Sequence, residues 1–178
     1  MAWLTCLEML PNTHRGNLID MEFFTLGVYH SNENEFFKKL TDNRIDTFCD
    51  IRQRRGVRGA EYAFVNSNRL QAKLNDLEIR YGHVIELAPT TEIRDLQKIA
   101  DNQTGEHKRD RNRLSPNFKS KYIENVLSLF DFESFTEKLE QLGSARIVLF
   151  CVEENPEACH RSLVSDKLHD LGYKITHL

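Results

Sequence analysis

The sequence predicts an α/β fold: a three-layer sandwich with a central, mainly parallel sheet of four to five strands flanked by helices. Three observations carry this. Short apolar runs rich in β-branched and aromatic residues alternate with longer runs at helical spacing. The strand-like runs are continuously apolar, as in a sheet covered on both faces. The helical runs are bounded by capping residues such as Ser115-Pro116, Gly143 and Gly172. Strands that alternate with helices build right-handed βαβ units.

The elements follow in order. Residues 1–20 show no clear period and read as an N-terminal extension, poorly ordered and adding little to the fold; residues 21–178 read as a single α/β domain. "EFFTLGV" (22–28) is a buried strand. Ser31 or Asn32 caps a helix through "ENEFFKKL", whose first-turn acids suit the helix dipole. "IDTFCDI" (45–51) is the second strand, and a loop rich in Gly and Arg follows. "NSNRLQAKLNDL" is a helix with Leu70, Leu74 and Leu77 on one face, and "IRYGHVIEL" (79–87) is the third strand. A helix over 92–101 precedes a basic loop. Ser115 starts a helix that runs to about Phe130, and another covers 132–142. "ARIVLFCV" is the fourth strand, a helix from about Ala158 ends at Gly172, and "YKITHL" is the last strand.

Composition narrows the function. Of 178 residues 40% are hydrophobic, which excludes a disordered chain. No apolar run approaches the ~20 residues that span a bilayer. The start "MAWLTCLEMLP" carries Glu8 and lacks the basic and long apolar stretches of a signal peptide, so a cytoplasmic protein with no membrane partner is expected. The four cysteines, at 6, 49, 151 and 159, are not in CxxC spacing and are expected as free thiols. No metal or cofactor is read from spacing; a metal would need tertiary convergence. The net charge is -3, yet residues 51–58 hold four Arg and no acid, and 107–121 hold six Lys or Arg with one Asp. Two basic segments in a mildly acidic chain point to an anionic partner.

Ligands in such sheets bind outside the strand carboxyl ends, which selects the candidates. Asp50 and Glu153 end the second and fourth strands and are an expected acid–base pair; the ordinary alternative has Asp50 pairing with Arg52 or Arg54 to order the loop. The segment "CVEENPEACHRS" brings Cys159, His160 and Arg161 to a helix start. Free N–H groups and the helix dipole attract anions there, and the fork of Arg161 suits phosphate. Its alternative is pairing with Glu153, Glu154 or Glu157. Cys159 is a candidate thiolate, or a small packed residue. Arg52 and Arg54, with Tyr62 and Phe64 following, suit phosphates and stacked bases. His83 on the third strand is a further binding candidate, or a structural residue.

At "FCDIR", "YGHVIEL" and "CVEENPEACHRSLVSDKLHDLGYKITHL" the chain resembles the domain-of-unknown-function 488 family of bacteria and archaea, from Thr25 to the C-terminus. The resemblance implies that Asp50, Arg52, His83, Glu153, Cys159, His160 and Arg161 match positions that define the family pattern. The chain departs from it at "TLGVYHS", where many members read like "TIGHS", and at "LAPTTEIRDLQ", where many carry a Gly-Gly pair. The functions expected are an enzyme acting on a phosphate-bearing nucleotide or nucleic acid, with Asp50, Glu153, Cys159 and His160 catalytic and Arg52, Arg54, His83 and Arg161 binding. A non-catalytic nucleic-acid-binding module and a thiol-dependent sulfurtransferase-like enzyme are the alternatives.

Overall fold

The computed structural model describes residues 20–57, 59–107 and 109–178. The expected extension at 1–20 lies outside them except for Asp20. Five strands form one all-parallel sheet: β1 (Glu22–Leu26), β2 (Thr47–Asp50), β3 (Arg80–His83), β4 (Arg146–Phe150) and β5 (Lys174–His177), in the spatial order β3-β2-β4-β1-β5. The α-helices are α1 (Glu33–Asp42), α2 (Ser67–Asp76), α3 (Thr91–Thr104), α4 (Pro116–Tyr122), α5 (Phe132–Gln141) and α6 (His160–Asp170).

Register explains why the strands are apolar throughout. Phe24, Leu26, Phe48, Val148 and Phe150 share one face; Phe23, Thr25, Cys49, Ile147 and Leu149 share the other. Phe36 of α1 meets Phe48 and Phe150 on the first face, with ring centroids 6.4 and 5.4 Å apart. Phe135 of α5 meets Phe23 on the second at 6.4 Å. Each face therefore has a helix layer, and all these side chains are buried.

The expected caps are present. Asn32 Oδ1 accepts from the Glu35 N–H at 3.0 Å, and Glu35 Oε2 accepts from the Asn32 N–H at 3.1 Å. Ser115 Oγ accepts from the Phe118 N–H at 3.3 Å, with Pro116 opening α4. Two boundaries need correction. The third strand ends at His83, and Ile85–Leu87 is a 3-10 turn, so the predicted strand over 79–87 is half its length. This turn is anchored by the Tyr122 hydroxyl, which donates to the Leu87 carbonyl at 2.6 Å. The helix after Ser115 is α only to Tyr122 and then widens into a π turn over Ile123–Leu127.

At the amino end of the sheet, Glu22 of β1 accepts from Arg146 of β4 at 2.8 Å and from Lys174 of β5 at 2.6 Å. The Lys174 hydrogen bond holds its carboxyl below the usual range, against desolvation, with Arg146 adding to the effect. Glu22 thus stabilises the fold above the ordinary Glu pKa of about 4.3, and this contribution is lost as pH falls through its lower folded value. Glu22→Gln should cost up to about 1 kcal/mol at pH 7. Denaturant unfolding of both proteins should show the gap closing as pH falls below the ordinary Glu range; a gap independent of pH would mean the pairs contribute nothing.

Sheet order also places the site. The chain leaves β1 toward β2 and leaves β4 toward β5, in opposite directions across the sheet. The connections diverge, and a crevice opens at the carboxyl ends between them.

Candidate functional site

Asp50, at the end of β2, is fully buried. Its carboxylate accepts from both arms of Arg52: Nε to Oδ1 at 2.8 Å and Nη2 to Oδ2 at 2.7 Å. The Arg52 N–H donates to Oδ1 at 3.1 Å, and the Tyr81 hydroxyl donates to Oδ2 at 3.0 Å. Burial, reinforced by the charge of Asp50, pushes the Tyr81 hydroxyl pKa up, so it keeps the proton it donates. Arg52 is buried, lies 4.5 Å above the Phe150 ring, and donates through Nη2 to the Val65 carbonyl at 3.0 Å. Its remaining nitrogen, Nη1, is buried without a hydrogen-bond partner. His83, opposite Asp50 on β3, donates from Nε2 to the Arg52 carbonyl at 2.8 Å.

The loop after β4 is built by a close approach. The N–H groups of Val28 and Tyr29 donate to the Val152 carbonyl at 3.1 and 3.0 Å. A Cβ on Gly27 would stand 1.9 Å from the Glu153 carbonyl oxygen, so only glycine fits. Gly27→Ala should displace the 152–154 loop and cost several kcal/mol, on the scale of severe overpacking. Thermal unfolding measures this, and near-wild-type stability would show that the loop yields easily.

Arg161 finishes the loop. It is 1% exposed, and its two terminal nitrogens donate to the Glu153 and Glu154 carbonyls. Its fork thus meets loop carbonyls, while its Nε is buried without a hydrogen-bond partner. The two carboxylates of the expected Asp50–Glu153 pair have different partners. Asp50 is occupied by Arg52 and Tyr81, whereas Glu153 accepts from Arg111 Nη2 at 3.2 Å and from the Cys151 thiol at 3.3 Å. His83 supports the backbone of Arg52.

Above this layer lies a cavity of about 660 Å³. Of the expected site residues it is lined by Arg52, Arg54, Glu153, Cys159 and His160, whereas Asp50, His83 and Arg161 stand behind its wall. The two basic segments meet here, because Arg109 and Arg111 line the same space as Arg52 and Arg54. They meet differently from a continuous basic surface. Arg111 is buried, donating to Asp101 at 3.0 Å, to Glu153, and to the Ala158 carbonyl at 2.8 Å. Arg109 pairs with Glu61 at 2.9 Å over the rings of Tyr29 and Tyr62. Arg94 and Lys98 of α3 complete the cationic wall, and Arg94 Nε is buried without a partner.

The floor holds sulfur and nitrogen. His160 Nδ1 lies 3.8 Å from Cys159 Sγ and 3.9 Å from Cys151 Sγ, and its Nε2 is 3.1 Å from the Ile51 carbonyl. That carbonyl only accepts, so Nε2 carries a proton and Nδ1 faces the sulfurs. Burial alone would raise the Cys159 thiol pKa; the hydrogen bond from Cys151 and the charges of His160 and Arg161 outweigh it and hold the pKa well below the usual thiol range. Burial opposes protonation of His160, but Cys159 and Glu153 raise its pKa overall. Cys49 is the contrast: burial, then the charges of Asp50 and Asp46, push it up to about 12, as for a thiol that only packs.

Sequence reasoning missed Arg94, Asp101 and Cys151 as parts of this site, and it read Arg111 only as one cation of a basic nucleic-acid-binding segment. Cys151 was visible at a strand end. Arg111 pairs with a residue 42 positions away, and no local pattern carries that.

The fold and site define an all-parallel three-layer α/β domain with a cationic cavity at its strand carboxyl ends. The chain belongs to the family described as "Domain of unknown function DUF488", which matches residues 33–168, 136 of the 178, and so covers every cavity-lining residue except Tyr29. No curated protein and no solved structure matches the chain. Among the described residues, no helix is long and apolar enough to cross a membrane.

Proposed function

We propose that the chain is an enzyme acting on a phosphate-bearing substrate of nucleotide size, bound in the cavity with its reacting end toward Cys159, His160 and Glu153. The observation that carries this is the free Nη1 of Arg52. A guanidinium aligned by a buried carboxylate leaves one donor unsatisfied, in a cavity wall, where an anionic oxygen would complete it. Arg94, with its own unpartnered Nε, supplies a second fork. The volume lies within the range of about 300–1,000 Å³ common for small-ligand sites. Tyr29 and Phe118 give the cavity aromatic wall on which a base can rest.

The nucleic-acid-binding module is less well supported. In its second basic segment Arg111 is buried in pairs with Asp101 and Glu153, and Arg109 pairs at the surface with Glu61. In this reading Asp50 and His83 are positioning residues for Arg52, and Arg161 shapes the loop.

Calorimetric titration with phosphate, mononucleotides and short oligonucleotides, at two salt concentrations, tests the proposal. Mononucleotides should bind, and Arg94→Ala should weaken them by about tenfold or more, the loss of a charged hydrogen bond worth 1.5–3 kcal/mol. Binding by oligonucleotides alone, with steep salt dependence and indifference to Arg94, would favour the module instead.

A further inference from the structure

We propose that Cys151, Cys159 and His160 form a binding site for one zinc-class divalent ion, with its remaining coordination position directed into the cavity. The three residues come from the end of β4 and the start of α6, and all three are buried. Their ligand atoms lie within 4.8 Å of one another. A tetrahedral ion with metal–sulfur bonds of ~2.3 Å and metal–nitrogen bonds of ~2.05 Å sets its sulfur and nitrogen ligands ~3.6 Å apart. The observed sulfur–nitrogen separations of 3.8 and 3.9 Å need an adjustment of only a few tenths of an ångström.

The imidazole is also oriented as a ligand. Its Nε2–H donates to the Ile51 carbonyl, the kind of outer hydrogen bond that fixes the tautomer of metal-binding histidines. In the neutral ring the Nδ1 lone pair then points at the sulfurs. Two cysteines and one histidine make a soft, three-residue donor set, the pattern of a site that keeps a position for water or substrate. The Glu153 carboxylate, 3.3 Å from Cys151 Sγ and held by Arg111, is placed to accept a hydrogen bond from a bound water or to close the fourth position.

Charge gives a second argument. Arg52, Arg111 and Arg161 surround this floor, and two thiolates with a divalent ion are together neutral. The ion therefore fills the site without adding net charge beside the arginines, and two protons leave the Cys151–Cys159–His160 cluster for solvent on binding. Binding of the ion stands on this geometry by itself. Its use, to polarise an oxygen of a phosphate held by Arg52, rests on the reading proposed above.

The test uses the full chain, stripped with chelator and titrated with Zn²⁺ and Co²⁺. One ion per chain should bind, and Co²⁺ should give a thiolate-to-metal charge-transfer band with tetrahedral d–d absorption. Cys159→Ser and Cys151→Ser should each weaken binding by more than about 100-fold, beyond the loss typical of outer-shell changes; Cys49→Ala should keep it. Should the serine variants fold poorly, wild-type chain alone decides: Zn²⁺ should protect Cys151 and Cys159 from alkylation read by peptide mass. Substoichiometric uptake, no charge-transfer band, or alkylation unchanged by the ion would each overturn the site. A chain that binds the ion but no nucleotide would keep the metal site and remove its use on phosphate; nucleotide binding without ion uptake would do the reverse.

Discussion

Asp50→Asn should destabilise the chain by about 3–5 kcal/mol, the cost of leaving a buried cation without its carboxylate. Asn offers one acceptor where Asp50 offers two, and its amide would point N–H donors at the N–H donors of Arg52 and at the Tyr81 hydroxyl. Arg52 cannot turn to water, because it is 3% exposed and lies against Phe150. The melting temperature should fall by about 10 °C or more for a domain of this size. Nucleotide binding should fall with it, because the Arg52 guanidinium, part of the cavity wall, is held in place by this pair. An Asp50→Asn chain with normal stability and binding but no turnover would restore Asp50 to catalysis and refute its positioning role.

Arg111→Met should cost a similar 3–5 kcal/mol. Methionine matches the stem of the side chain but removes the donors to Asp101, Glu153 and the Ala158 carbonyl together. Two carboxylates are then left side by side in a buried wall, and at neutral pH both repulsion and desolvation oppose the fold. Arg113→Ala, at an exposed position of the same segment, should change stability by less than about 0.5 kcal/mol. Equal effects of the two substitutions would mean that Arg111 acts as a surface charge and not as the centre of a buried pair network.

The contrast between Arg111 and Arg113 shows where sequence reading stops. Both lie in one basic run, two residues apart. Only the packing of α3 beside the loop after β4 makes one of them internal. The same limit applies to "CHR". Its location at a helix start was readable from the apolar strand before it and from Gly172 after the helix. The direction of Arg161 was not, because the acceptors that claim it are the Glu153 and Glu154 carbonyls of a loop. The pairing of Asp50 with Arg52 was readable as an alternative, since the two are close in sequence. The free third nitrogen of Arg52 was not, because it depends on what lies around it from Val65 and Phe150.

The layers, the parallel sheet, the caps of α1 and α4, and the edge of the sheet at which a site would form are all legible in the residue order. These follow from local periodicity and from side chains that bond within three residues of themselves. Only the tertiary structure decided which charges are free and which are spent. It set β2 beside β4, nearly a hundred residues apart, and so brought Arg52 over Phe150 and the Ile51 carbonyl onto His160. It also gathered Cys151, Cys159 and His160 on one floor. Such meetings come from strand order and loop closure across the whole chain, and no short window of residues contains them.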